Sequence, residues 1–128
     1  MQGLHLTADL RGCLPALLPA LSPMHEPAAL RALCLGAVAA CGLHAVGELF
    51  HRFPAPGGVT GVVLLAESHL AVHTWPELGG VTLDVYVCNL NGDHGPQAEA
   101  LLAALEAAFA PSGVERHRLQ RGGPAPAG

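Results

Sequence analysis

Charge is scarce in this chain. Only 12% of its 128 residues are Asp, Glu, Lys or Arg, about half the usual share, and the net charge is −4 with histidine neutral. Arg116, Arg118 and Arg121 form the one basic cluster, too sparse for a nucleic-acid surface. Aromatic residues are few as well, three Phe, one Tyr and one Trp, so a core must be assembled from Leu, Val and Ala. The four cysteines, Cys13, Cys34, Cys41 and Cys88, include no CxxC pair and do not match the spacing of a zinc site. They read as reduced thiols of a cytoplasmic protein. No apolar run is long enough to span a bilayer, because Leu30 to Ala45 is broken by Arg31, Gly36, Gly42 and His44. The first residues alternate like a strand and carry no cationic leader, so no signal peptide is expected. A single domain of this size, so lightly charged, is expected to cover part of its surface with a second copy of itself.

Alternation and helical spacing divide the chain. Leu4, Leu6, Ala8 and Leu10 alternate with His5, Thr7 and Asp9 over residues 3–11, which predicts a strand. Prolines at 15, 19, 23 and 27 make 13–26 a loop. Pro27 suits the first turn of a helix, whose stripe is Leu30, Leu33, Cys34, Ala37, Val38 and Cys41, with Gly42 as its stop. A strand is expected from Leu43 to Phe53, then a turn over Pro54-Ala55-Pro56-Gly57-Gly58. The apolar run Val59 to Ala66 predicts a central strand buried on both faces. Residues 69–75 and 81–88 alternate, and in the latter Thr82, Asp84, Tyr86 and Cys88 share the polar side. A second helix follows from about Pro96 to Ala110, burying Leu101, Leu102, Leu105, Ala108 and Phe109. Val114 to Leu119 is expected as an edge strand, and residues 122–128 as a disordered tail. The order β-α-β-β-β-β-α-β predicts an α+β fold: a two-layer sandwich of a mostly antiparallel sheet with two helices on one face. The other face is then either wet or a subunit contact.

Chemistry concentrates in Glu67-Ser68-His69-Leu70-Ala71-Val72-His73-Thr74-Trp75-Pro76-Glu77. Of the three serines, Ser22, Ser68 and Ser112, only Ser68 stands between two strand-forming runs. A Ser-His pair is ordinarily structural, so each chemical alternative needs its own support. A serine hydrolase would need a nucleophile elbow, and Ala66-Glu67-Ser68-His69-Leu70 has no glycine on either side. A metal shared by His69 and His73 is excluded in a strand, where four residues span about 13 Å.

The segment Gly58 to Glu77, with Gly3-Leu4-His5, Phe50-His51-Arg52-Phe53 and Asp84-Val85-Tyr86-Val87-Cys88 in order around it, resembles the small prokaryotic S-adenosylmethionine decarboxylases. The resemblance runs from residue 3 to about 122, and Glu-Ser-His…His-Thr-Trp-Pro-Glu is its most specific element. It implies a proenzyme cut between Glu67 and Ser68 into a 1–67 β chain and a 68–128 α chain. It further implies that Ser68 becomes a covalent pyruvoyl cofactor forming a Schiff base with the substrate amine. His73 would be the proton acceptor in processing, with the Thr60 hydroxyl stabilising the oxyanion. Cys88 would be the proton donor in decarboxylation, Phe53 would stack on adenine, and Glu77 would hold the ribose hydroxyls. The implied partner is S-adenosylmethionine, in a homodimer of cleaved protomers. The other cysteines are read as packing residues, and His25, His44, His94 and His117 receive no role.

The chain departs from the family pattern at four places. Thr60 replaces the usual serine, the 54–58 loop is one residue longer, Leu78-Gly79-Gly80 replaces an aromatic segment, and Asn89 follows Cys88 in place of glycine. The loop changes touch the pocket, so the same chemistry on arginine or ornithine is the alternative substrate reading. An uncut, non-catalytic homologue is the alternative from another class.

Overall fold

A computed structural model describes residues 1–14 and 21–124. The expected loop at 15–20 and the tail end at 125–128 lie outside the described residues. Six strands and two helices follow in order: β1 (Gln2–Arg11), α1 (Pro27–Ala40), β2 (Ala45–Arg52), β3 (Val59–Leu65), β4 (Ser68–Trp75), β5 (Gly80–Cys88), α2 (Gly95–Phe109) and β6 (Gly113–Gly122). The strands form one sheet in the order β2-β3-β4-β5-β1-β6, and every pair in it is antiparallel. The α+β two-layer sandwich expected from the element order is what forms.

Period-2 alternation decides which side chains enter the core. Leu4, Leu6, Ala8 and Leu10 of β1, Leu70 and Val72 of β4, and Val81, Leu83, Val85 and Val87 of β5 are all buried. They meet Leu30, Cys34 and Val38 of α1 and Ala98, Leu101, Leu102, Leu105 and Phe109 of α2. Both helices begin with proline in the first turn, where the missing N–H is no loss; Glu26 caps α1 by accepting from the Ala28 N–H. Gly42, at φ +82, takes the left-handed conformation that ends α1. Ala108, placed by its helical spacing in the core, is instead exposed, because the buried stripe of α2 is carried by Leu101, Leu105 and Phe109.

One expectation about β3 is overturned. The strand ends at Leu65 and is not buried on both faces: Val59, Val63 and Leu65 are buried, but Leu64 is 50% exposed and Val62 only half-buried. Its continuous apolar run reads like a central parallel strand. In this two-layer fold no helix covers the second face, so the apolar residues there lie open. The same open face carries Leu49, 70% exposed, opposite Val62 in the register.

Thr74 ties the chain before α1 to the sheet. Its buried hydroxyl donates to the Met24 carbonyl and accepts from the Val59 N–H, both at 2.8 Å. Gly58 is required beside it, since a Cβ there would overlap the Thr74 carbonyl. At the far edge, the Arg116 and Arg118 guanidiniums bind Glu99 on α2, and Arg116 also binds Glu106. Two of the three terminal arginines therefore pin β6 over α2. Among the described residues, no helix is long and apolar enough to cross a membrane.

Candidate active site

Strands β3 and β4 join through a two-residue turn, because Leu65 pairs with Ser68 and only Ala66 and Glu67 lie between. Two-residue hairpins favour turns with positive φ at the first central residue. Here the positive φ, +53, falls on the second, Glu67. A residue with a Cβ held in the left-handed region costs about 1–2 kcal/mol, and the ladders on both sides of β4 hold it there. The strained residue is the one whose carbonyl precedes Ser68.

Ser68 opens β4. Its Oγ accepts the Cys88 N–H at 3.0 Å. The Cys88 thiol donates to the Glu67 carboxylate at 3.3 Å. The three residues singled out at the expected cut and proton-donor positions are thus in direct contact. A cleft of about 220 Å3 opens beside them, lined by His44, Leu65, Ser68, Cys88, His94 and Gln97. Ser68 shares strand parity with buried Leu70 and Val72, so it faces the helix layer; Cys88 shares parity with Tyr86 and Asp84 on the open face.

His73 and Thr60 are also in contact, the Thr60 hydroxyl lying 3.0 Å from His73 Nδ1. They pair across β3 and β4 on the open face. The His73 ring stacks beside Trp75, with centroids 5.9 Å apart. A cleft of about 310 Å3 takes in Phe53, Thr60, His73 and Trp75. A neighbouring cleft of about 330 Å3 takes in His25, Arg52, Phe53 and Glu77. Phe53 lines both and is 46% exposed, so it is a free aromatic face and not a core ring. The structure therefore gathers Phe53, Thr60, His73 and Glu77 at one end of β4, and Glu67, Ser68 and Cys88 at the other. Five steps along the strand take Ser68 to His73, about 17 Å.

Between the two groups the open face is polar. His5 Nε2 lies 2.9 Å from the Asp84 carboxylate, and the His69 ring stacks on Tyr86 with centroids 5.8 Å apart. Gly3 is needed beneath that phenol, because a Cβ there would overlap the Tyr86 hydroxyl. Among the described residues, no group of three or more His, Cys, Asp or Glu side chains could hold a metal ion.

The remaining cysteines are poor reactive groups. Cys34 is buried against the sheet, and burial pushes its thiol up to about 12; burial raises Cys13 as well. Sequence reasoning missed His94. No periodicity marks it, and the one signal available was its place just before the first turn of a helix that follows Cys88.

Comparison with known proteins identifies the family. The family model for S-adenosylmethionine decarboxylase matches residues 4–122. An S-adenosylmethionine decarboxylase proenzyme of Symbiobacterium thermophilum is 40% identical over 103 residues, covering 80% of this chain and 73% of the relative. One from Methanococcus maripaludis is 34% identical over 120 residues, 94% of this chain and 89% of the relative. The crystal structure of the adenosylmethionine decarboxylase from Aquifex aeolicus superposes with a TM-score of 0.81 at 32% identity, covering 98% of this chain and 95% of that one. A family model spanning residues 4–122, relatives at 34–40% identity and a solved fold covering 98% of the chain lead to one assignment: the chain belongs to the S-adenosylmethionine decarboxylase family.

Proposed function

We propose that the chain is a self-processing decarboxylase of S-adenosylmethionine, carrying its cofactor as a pyruvoyl group made from Ser68. The observation that supports this most directly is the Glu67-Ser68 junction. A strained residue presents its carbonyl to a serine whose Oγ is already fixed by the Cys88 N–H. Attack of Oγ on the Glu67 carbonyl carbon exchanges the peptide bond for an ester. Loss of the Ser68 α-proton then expels the Glu67 carboxylate, and hydrolysis with release of ammonia leaves a pyruvoyl group at the head of residues 68–128. Residues 1–67 form the other chain, with Glu67 as its C-terminus. The two pieces remain one domain, expected over 1–121; β6 extends it by one residue, because Gly122 pairs with Gln2 and so does not belong to the expected tail.

The residues fit such a group. The chain contains no lysine, so a pyridoxal cofactor has no side-chain amine to attach to, which favours a carbonyl drawn from the backbone. The pyruvoyl carbonyl supplies an electrophile for the substrate amine and a sink for the electron pair left when CO2 departs. Cys88, beside Ser68, holds the proton for the substrate α-carbon. A thiol S–H placed beside the reacting carbon can act as a general acid. Phe53 and Glu77 suit the adenosine, one by stacking and one by accepting from the ribose hydroxyls. The product is the aminopropyl donor for spermidine biosynthesis, made by a cytoplasmic enzyme.

The separation of the two clusters supports a dimer. One chain cannot bring His73 to its own Ser68 across about 17 Å of strand. A two-fold axis passing near Ala71, midway between them on the open face, lays the partner's His73 over the Glu67-Ser68 peptide and does the same in reverse. Exposed Leu49 and Leu64 on this face then become covered. Each of the two sites would be completed by Thr60, His73, Phe53 and Glu77 of the other copy.

Intact-mass spectrometry tests the reading. Two chains are expected, 1–67 and 68–128, the second lighter by one ammonia than a chain starting with serine. A single uncut mass would remove it. Release of CO2 from S-adenosylmethionine, measured beside arginine and ornithine, identifies the substrate.

A further inference from the structure

The loop after β5 folds back over the cut site. Asn89 Oδ1 accepts the His94 N–H at 2.9 Å, closing the loop and setting His94 at the start of α2. His94 Nδ1 then lies 2.8 Å from the Cys88 carbonyl. A carbonyl only accepts, so Nδ1 carries the proton and Nε2 is the bare nitrogen of the neutral ring. On its other side, the Cys88 N–H donates to Ser68 Oγ. A single chain of contacts therefore runs from the His94 ring through both backbone polar groups of Cys88 to the serine hydroxyl, and His94 and Ser68 line the same cleft.

We propose that His94 is a positioning residue for both reactions of this site. It clamps the Cys88 carbonyl. That fixes the Cys88 N–H that carries the Ser68 oxygen, and it sets the direction of the thiol that supplies the proton in turnover. β1 holds the end of β5 on one side, where Cys88 pairs with Gly3 and the Asn89 N–H donates to the Gln2 carbonyl. The ladder to β4 ends at Tyr86, so on the Ser68 side the clamp fixes the Cys88 peptide, and its loss loosens the placement of Oγ and Sγ. The role needs the Nδ1 donor alone, since the acceptor is a backbone carbonyl. An asparagine amide, whose NH2 occupies nearly the same place as Nδ1, can serve in its stead.

This inference rests on the self-processing reading, and the experiment separates the two. Cleavage half-time by mass spectrometry, and kcat and KM of the mature enzyme, are measured for the wild type, His94→Ala and His94→Asn. Misplacement of reacting groups on this scale costs up to about 100-fold. His94→Ala is therefore expected to slow cleavage and kcat by about 10–100-fold with KM little changed, while His94→Asn stays within about threefold of wild type. An uncut wild type would sink the processing reading itself. A cut wild type with His94→Ala at wild-type rates overturns the clamp. His94→Asn as slow as His94→Ala also overturns it, because the ring would then act by proton transfer. Should His94→Ala not fold, Asn89→Ala is read in its place, since it frees the loop and leaves the ring intact. Slowed cleavage supports the clamp, and wild-type cleavage overturns it.

Discussion

Ser68 and His73 stand on one strand, on opposite faces, with four residues of extended backbone between them. Ser68 shares the parity of buried Leu70 and Val72, whereas His73 pairs with Thr60 on the open face. A covalent neighbourhood that looks close in the sequence is therefore split between the two ends and the two faces of β4.

Complementation between two inactive chains is the sharpest consequence. Ser68→Ala alone stays uncut, having no nucleophile, and His73→Ala alone stays uncut, having no base. Co-expressed, they are expected to form mixed dimers in which the His73→Ala chain is cut with the partner's His73. Mass spectrometry should show fragments of the His73→Ala chain only. An uncut His73→Ala chain in the mixture would place the base within the same chain, and cleavage of His73→Ala by itself would show that His73 is not the base.

Cys88→Ala separates processing from turnover. Its backbone N–H still holds Ser68 Oγ, so the two fragments should appear. Loss of a positioned acid costs about 100- to 10,000-fold, and CO2 release from S-adenosylmethionine should fall by that order. Unchanged turnover would give the proton to another group.

Phe53→Ala and Glu77→Gln should act on affinity. Stacking of a base on an aromatic ring contributes about 1–3 kcal/mol, which corresponds to a roughly 5- to 150-fold rise in KM for Phe53→Ala. Glu77→Gln should raise KM while cleavage proceeds as in wild type. A variant of either residue that loses cleavage but keeps KM would show that the adenosine reading of this end of β4 is wrong.

Alkaline stability should report Cys34. Its folded pKa of about 12 lies above the ordinary value of 9.0, so the folded state holds the thiol proton more tightly than the unfolded chain does. The stabilisation is whole below pH 9 and is lost progressively as pH rises toward 12. The Tm should fall between pH 8 and pH 10.5. Cys34→Ala, whatever its stability at pH 8, should show a shallower fall. An equal slope in the two proteins would mean that other groups govern it.

Much of the architecture was legible because alternation and helical spacing are local. The edges of β1, β5 and both helices follow from which residues recur every second or every third and fourth position, and from Pro27, Gly42 and Pro96 at the ends. The run Val59 to Ala66 misled for a physical reason. An apolar residue on a sheet face does not say whether a helix of the same chain or some other surface covers it, and Leu64 and Leu49 lie on the uncovered side. Ala108 misled because alanine fits either side of a helix.

The sequence by itself determined the chemical cast: a serine after a carboxylate, a later cysteine on the polar face of its strand, a Thr and a His, an aromatic and a Glu beside a proline turn. Their roles are what the resemblance to the decarboxylase family implies, and reading it needs no third dimension. Only the tertiary structure decided who meets whom. It placed Glu67 in the left-handed region, joined Ser68 to Cys88 across a strand pair, and folded the unassigned His94 onto the Cys88 carbonyl. It also carried His73 to the far end of β4, because a strand rises about 3.3 Å per residue and cannot bend back on itself.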